Sequence, residues 1–352
     1  MPPSLRRSLH RFLLPACLST LSCASTGAPA TGGTAAASGA TSTATDRFAG
    51  AGTANALPAD VTFVSLEGPH WVPGSGDGGG YLLFSDVVEA NGPGAHIYKF
   101  DPVGRRFAVL PYPSAASAGP TSTNGLAVDP SGRLLACERY NARLVRLEPL
   151  GGGADAKLTV LAERWPAAEG GQALNAPNDL AVRRDGNVYF TDSDWGTRPG
   201  TPHAPMGVYR LSPKGALDRV LDMQKPNGIA LSPDGGTLYV GSDVQAKVWK
   251  LSVSADGGLG SQTLLIDGER VPGGFKVPDG ICIDDTGNLY VTNNADDVRA
   301  IVVFDPAGRL LGRIPIPAAP SNCTFGGADR RTLYVTTLHA IYEVQMSTPG
   351  LP

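Results

Sequence analysis

From about residue 60 onward, short apolar runs alternate with turns rich in Asp, Gly and Pro, and the alternation repeats. Each unit starts with a polar residue followed by Gly or another small residue. A short apolar strand, a polar turn and a second strand carrying an aromatic residue follow. The units are Glu67-Gly68-Pro69 with Leu82–Asp86, Asn124-Gly125-Leu126 with Leu134–Glu138, and Asn178-Asp179-Leu180 with Val188–Asp192. Three more are Asn227-Gly228-Ile229 with Leu238–Ser242, Asp279-Gly280-Ile281 with Leu289–Asn293, and Asn322-Cys323-Thr324 with Leu333–Thr337. A third strand is visible in most units, as in Ile97-Tyr98-Lys99-Phe100 and Val248-Trp249-Lys250-Leu251, and a weaker fourth follows, as in Thr159-Val160-Leu161. Repeats of roughly 40–55 residues with about four strands each have the dimensions of propeller blades. Helical periodicity is absent, which argues against helical repeat arrays. The pattern predicts an all-β, six-bladed β-propeller with four-stranded antiparallel blades. Residues around 57–66 are expected to supply the outer strand of the last blade, closing the ring and removing its free edges.

Reading down the repeat rather than along it changes the picture. One repeat position holds Glu67, Asn124, Asn178, Asn227, Asp279 and Asn322. The first strand of each blade lines the central channel, so these six should converge at one height. Asn-Gly and Asp-Gly are also ordinary turn dipeptides, but turn chemistry does not explain six oxygen-bearing side chains in register with no cation among them. Two carboxylates and several carboxamides suit a hard cation, since calcium takes 6–8 oxygen ligands with flexible geometry. Calcium is the ion expected; Mg2+ is an alternative, as is Zn2+, although zinc favours His and Cys and the ring has neither. A second set, Asp86, Glu138, Asp192, Ser242, Asn293 and Thr337, ends the second strand of each unit. These residues are expected to orient the ring, contact substrate or bond structurally.

The remaining composition narrows the partners. The chain has 352 residues, a formal net charge of -3, 45 Gly and 30 Pro. No basic block invites nucleic acid or an anionic membrane. Residues 1–23 read as an export signal, with Arg6, Arg7 and Arg11 before a short apolar stretch. Its end, Thr20-Leu21-Ser22-Cys23-Ala24, resembles a lipobox in which Cys23 would be lipidated, with Thr20 where Leu is usual. Residues 24–56 are nearly all Ala, Gly, Ser and Thr and are expected to be a disordered tether. The propeller is drawn over 57–352. The expected location is therefore the cell envelope as a lipoprotein, or the periplasm or exterior, with membrane contact only through the lipid. Cys137, Cys282 and Cys323 are read as buried thiols rather than a disulfide framework. The loop from Trp195 to Met206 is a candidate lid over the channel, and His70 is expected to be an exposed or packed imidazole, the channel being the alternative.

Glu67-Gly68-Pro69-His70-Trp71 with Phe84-Ser85-Asp86, Pro177-Asn178-Asp179 with Phe190-Thr191-Asp192, Lys225-Pro226-Asn227-Gly228-Ile229, and Pro278-Asp279-Gly280 together resemble the gluconolactonase/regucalcin (senescence marker protein) family. The resemblance spans roughly residues 60–345. It implies a six-bladed propeller with a divalent cation, commonly calcium, at the channel mouth and hydrolysis of sugar lactones by many members. Related propellers include diisopropylfluorophosphatase and the paraoxonase lactonases. By position it implies Glu67, Asn178, Asn227 and Asp279 as metal ligands and Asn124 as a substrate contact. Ser122 stands where regucalcin-like members carry Arg. Cys137-Glu138-Arg139 resembles the Cys-Glu-His of bacterial gluconolactonases, with Arg139 replacing the His, so Glu138 and Arg139 are candidate substrate-binding residues. Lactone hydrolysis needs a polarised carbonyl and an activated water. Asp279 is the candidate base, with Glu67 as a ligand or the two roles exchanged. No GxSxG nucleophile elbow is present. The expected protein is a monomeric, metal-dependent lactonase acting on a small lactone. The alternatives are an organophosphate or aryl-ester hydrolase on the same cradle, and a non-catalytic cell-envelope binding propeller.

Overall fold

The computed structural model describes residues 47–351 except 75–78, 88–95, 114–121, 154, 167–170 and 196–201. The export signal over 1–23 lies outside the described residues. Six four-stranded antiparallel sheets form the six expected blades. Blade 1 comprises Leu66–Val72, Tyr81–Asp86, His96–Asp101 and Arg106–Val109. Blade 2 comprises Thr123–Val128, Leu134–Glu138, Arg143–Glu148 and Lys157–Ala162. Blade 3 comprises Ala176–Val182, Val188–Ser193, Gly207–Leu211 and Leu217–Asp222. Blade 4 comprises Pro226–Leu231, Thr237–Ser242, Lys247–Ser252 and Thr263–Asp267. Blade 5 comprises Pro278–Ile283, Leu289–Ala295, Val298–Phe304 and Leu310–Pro315. Blade 6 takes Pro320–Gly326, Thr332–Thr337 and Ile341–Gln345 from the C-terminal end, and its outer strand is Asn55–Ala56.

That closing strand corrects the expected boundaries. It lies at Asn55–Ala56 rather than in 57–66, pairing Asn55 with Glu343 and Ala56 with Tyr342. Phe48 packs edge-on against Tyr290 at 5.9 Å between ring centres, and Ala51 bridges to Met346. The stretch from 47 to 56 is therefore part of the propeller, not of the tether drawn over 24–56. Composition misled here because an edge strand can be held by backbone hydrogen bonds that leave little trace in side-chain pattern.

The blades are sheets with two apolar faces, and each face packs on its neighbour. The buried apolar residues fall into six clusters, one per blade interface: Leu135, Leu180 and Phe190 join blades 2 and 3, and Trp71, Phe84 and Tyr334 join blades 1 and 6. Trp71 stacks on Tyr334 with ring centres 5.8 Å apart. Each fully buried Leu, Val or Phe contributes roughly 1.5–3 kcal/mol relative to exposure. The Asp-rich turns between first and second strands work as Asx turns: Asp129 accepts from the amides of Ser131 and Arg133, and Asp284 from those of Thr286 and Asn288.

Two features of the innermost strands position the site. Each carries a register shift at or next to its ring position, as between Thr123 and Leu126, Pro226 and Ile229, or Pro278 and Ile281. A bulge takes a residue out of the ladder and re-aims its side chain. Buried hydroxyls on the second strand bond the backbone this leaves unpaired: Ser85 Oγ donates to Asn124 O at 2.8 Å, and Thr336 Oγ1 accepts from Asn322 N at 3.1 Å. The glycine after the ring residue has its own reason. A Cβ on Gly228 would stand 2.1 Å from Asp279 O, and one on Gly68, at φ +52°, would stand 2.0 Å from Asn124 O. The Asn-Gly pattern thus reports the close approach of neighbouring inner strands around the channel.

Candidate metal and catalytic site

The ring residues lie at or beside the register shifts of the innermost strands, and several of them touch. Asn322 Nδ2 donates to Asp179 Oδ2 at 3.3 Å and to Glu67 Oε2 at 3.5 Å. Asn294 Nδ2 donates to Asp279 Oδ2 at 2.8 Å, and the Asn227 side chain also bonds Asp279. Asn178, Asn227, Asp279 and Asn322 are buried, and Asn124 more deeply than any of them. Glu67, Asp179 and Asp279 thus share a confined space. Burial, followed by the charges of Asp279 and Asp179, pushes Glu67 well above the usual carboxylate range. Burial also raises Asp279, reinforced by Asp243 and Asp179, while Asn294 opposes the rise. Asp179 is pushed up to about 6 by burial alone. Among the described residues none of the three forms an ion pair. Burial thus opposes ionisation of all three carboxyls, and for Glu67 and Asp279 their neighbours' charges add to it.

Asp179 was not expected as a site residue. In four of the six units the residue after the ring position is Gly; here it is Asp, and its N–H bonds Thr191 Oγ1 at 3.0 Å while its carboxylate enters the channel. That substitution in the repeat is the signal that could have found it. Asn294 had no such signal.

The second set of polar residues is structural. Asp86 accepts from the amides of Val64 and Ser65, Asp192 from those of Asn175 and Ala176, and Asn293 from those of Lys276 and Val277. Each fastens the chain just before it enters the innermost strand of its own blade. Glu138 departs from its expected role as a substrate contact. It is fully buried, its Oε1 accepts from Tyr112 Oη at 2.8 Å, and its Oε2 accepts from Asn141 Nδ2 at 2.9 Å and from Arg143. With both oxygens committed, it braces the blade 2 rim. Arg139 reaches toward blade 3, donating Nε to Trp195 O at 2.8 Å. Trp195 in turn lies under Lys225, whose Nζ is 3.9 Å from its ring centre and 3.1 Å from Asp194 Oδ1. Ser122 is buried, and its carbonyl accepts the Arg139 N–H at 2.9 Å.

His70 is the packed imidazole of the two expected readings. Its Nε2 accepts from Val128 N at 3.2 Å, joining blades 1 and 2, and burial lowers its pKa to about 4. Of the expected lid, 196–201 lies outside the described residues; its far end is fastened by Ala204 N to Ala173 O. The thiol reading is corrected. Cys282 and Cys323, on the adjacent innermost strands of blades 5 and 6, form a disulfide with Cα atoms 5.8 Å apart. Cys137 remains a buried free thiol.

The fold has known counterparts. Residues 66–339 match the model of the SMP-30/gluconolactonase/LRE-like region. The chain is 33% identical over 302 residues to a gluconolactonase of Zymomonas mobilis, covering 81% of this chain and 79% of that one. A solved gluconolactonase structure from Xanthomonas campestris superposes with a TM-score of 0.68 at 31% identity, covering 85% of this chain and 91% of that one. A calcium-binding regucalcin from Agrobacterium tumefaciens shares the fold, with a TM-score of 0.63 at 21% identity, covering 87% and 98%. Fold and sequence likeness agree, and the chain belongs to the SMP-30/gluconolactonase/LRE-like family of propellers, with lactonases as relatives.

Proposed function

We propose that the protein is a divalent-metal-dependent lactonase opening sugar-type lactones at the channel mouth. The observation that carries this reading is the convergence of Glu67, Asp179 and Asp279 among carboxamides with no ion-pair partner among the described residues. The donor set fits a hard divalent cation such as calcium: Glu67 and Asp279 with Asn178 and Asn227 offer oxygens alone. Among the described residues no three His, Cys, Asp or Glu are placed to hold a metal by themselves, so a bound cation would need the carboxamides to complete its set. A bound cation would polarise the lactone carbonyl as a Lewis acid.

The chain's own residues do the rest. Asp279, steadied by Asn294 and Asn227 and raised toward neutrality by burial, takes a proton from water as its oxygen adds to the carbonyl carbon. The ring C–O bond then breaks, and the proton passes to the leaving alkoxide, giving the hydroxy acid. Asn124 and Arg139, on the blade 2 side, hold the substrate. The test is a pH-stat panel of lactones with and without chelator. Chelation should abolish opening, and Asp279→Asn should reduce kcat about 1,000-fold, within the range of general base catalysis. Chelator-insensitive activity would remove the metal, and an unaffected Asp279→Asn variant would remove the base.

The same reading takes the protein out of the cytoplasm. Disulfides persist in oxidising compartments, and Cys282–Cys323 joins the leader in supporting export to the cell envelope. Fractionation of cells expressing wild type and Cys23→Ser tests this. The wild type should sediment with membranes and the variant should be released; recovery of both in the cytoplasm would rule export out.

A further inference from the structure

A cavity of about 440 Å³ lies between blades 5, 6 and 1, and its lining includes Glu67, Asn294, Ser321, Leu338 and His339. Glu67 is a ring residue and Asn294 holds Asp279, so this cavity opens directly onto the proposed reaction centre. Clefts of similar size elsewhere do not: one of about 420 Å³ between blades 2 and 3, lined by Arg133 and Arg184, contains no ring residue. Its size is in the range of small-molecule pockets. It lies across the channel from Arg139 and the buried Glu138, where substrate contacts were expected.

The lining is selective in what it leaves uncommitted. Ser321 Oγ donates to Leu66 O at 2.6 Å, and Asn294 Nδ2 is spent on Asp279. Arg299 is occupied by Asp296, through its carboxylate at 3.5 Å and its carbonyl at 3.1 Å. Among the described residues no unpaired cationic side chain lines the cavity to receive an anionic group. An anionic substituent is therefore disfavoured and a neutral hydroxylated one suited. His339 supplies the matching group. Its Nδ1 lies 3.0 Å from Phe63 O, an acceptor, so Nδ1 carries the hydrogen. In the neutral ring Nε2 is then an acceptor, and it has no partner among the described residues. The exposed Leu338 beside it offers an apolar edge to the C–H face of a sugar ring.

We propose that His339 is a specificity-determining residue, its Nε2 accepting a hydroxyl of a neutral polyhydroxylated lactone seated in the blade 5/6/1 cavity. This rests on the lactonase reading. The test compares D-glucono-δ-lactone with δ-valerolactone, which lacks hydroxyls, on wild type, His339→Phe and His339→Gln. Losing one hydrogen bond should raise KM for gluconolactone about 10-fold in His339→Phe, with kcat and all valerolactone constants unchanged. His339→Gln, which keeps a donor and an acceptor, should recover most of the loss. Equal losses on both lactones, or none on either, would overturn the assignment, and an unchanged melting temperature separates contact from support of Phe63. Calorimetric binding of D-glucono-δ-lactam, a neutral polyhydroxylated analogue that is not opened, is read in parallel. If wild type binds it and His339→Phe does not, the cavity assignment stands even where no lactone is opened; binding retained in the variant, or absent in wild type, sinks it.

Discussion

The two ends of the channel are made from the same six strands and are chemically opposite. At the mouth, the first residues of the strands hold Glu67, Asp179 and Asp279 against one another, each resisting ionisation. At the far end, the last residues of the same strands form an apolar floor of Ala181, Leu231, Ile283 and Phe325, with Leu351 against it and Cys282 beside it. The Cys282–Cys323 disulfide and the His70–Val128 hydrogen bond tie neighbouring inner strands together along the channel below the mouth. One end accepts electrostatic repulsion for the sake of a ligand and the other supplies attachment. A rigid set of strands lets both coexist, because the floor holds the bulges in place while the mouth pushes them apart.

The largest effect that sharpens this contrast comes from the mouth. Asp279→Asn should cost about 1,000-fold in kcat, on the order of 4 kcal/mol of transition-state stabilisation. The metal-free variant should nevertheless melt at the same temperature as wild type or higher, since one repelling carboxylate is gone. A large drop in melting temperature would mean that the mouth, too, is holding the fold together.

The floor should behave the other way. Breaking the disulfide with Cys282→Ser, across a separation of 41 residues, should lower stability by about 3–4 kcal/mol in denaturant titrations. Lactone kinetics should stay within a factor of about two. A change in kcat as large as that of Asp279→Asn would couple the two ends and break the comparison.

The third effect is acid-dependent. His70 is lowered from 6.5 to about 4 by burial, so its neutral form is favoured in the folded state. Its contribution is therefore complete above about pH 6.5 and is lost as the pH falls toward 4. The loss amounts to on the order of 3 kcal/mol at the lower limit. His70→Gln keeps an acceptor for Val128 N without a titrating group. Its stability relative to wild type should rise between pH 7 and pH 4; a constant difference across that range would show that His70 is not held neutral.

The repeats were legible because a blade imposes the same demands six times: a polar residue at the bulge, an apolar pair facing each neighbour, and an Asx turn. That redundancy also made the ring readable. What escaped the sequence was whatever the repeat does not dictate. Asn55–Ala56 is too short and too polar to look like a strand, and its pairing is backbone alone. Cys282 and Cys323 sit at different offsets from their ring residues, Asp279 and Asn322, so no spacing announced their meeting. Glu138 shares its repeat position with Asp86 and Asp192, but Tyr112 and Arg143 are particular to blade 2 and claim its oxygens. Asp179 was readable in principle, as the one unit where the small residue after the ring position gives way to a charge.

The strand that completes blade 6 also dictates when the molecule can finish folding. Asn55 and Ala56 leave the ribosome before any blade, yet their partners Tyr342 and Glu343 follow all five other blades in the chain. Five blades can assemble from local pairings in order of synthesis, whereas the ring shuts only through a contact spanning nearly the whole domain, the kind that slows folding. A chain built this way keeps an open ring until the last strands of blade 6 are available, so the joining of its two ends, rather than the formation of any blade, commits it to its native state.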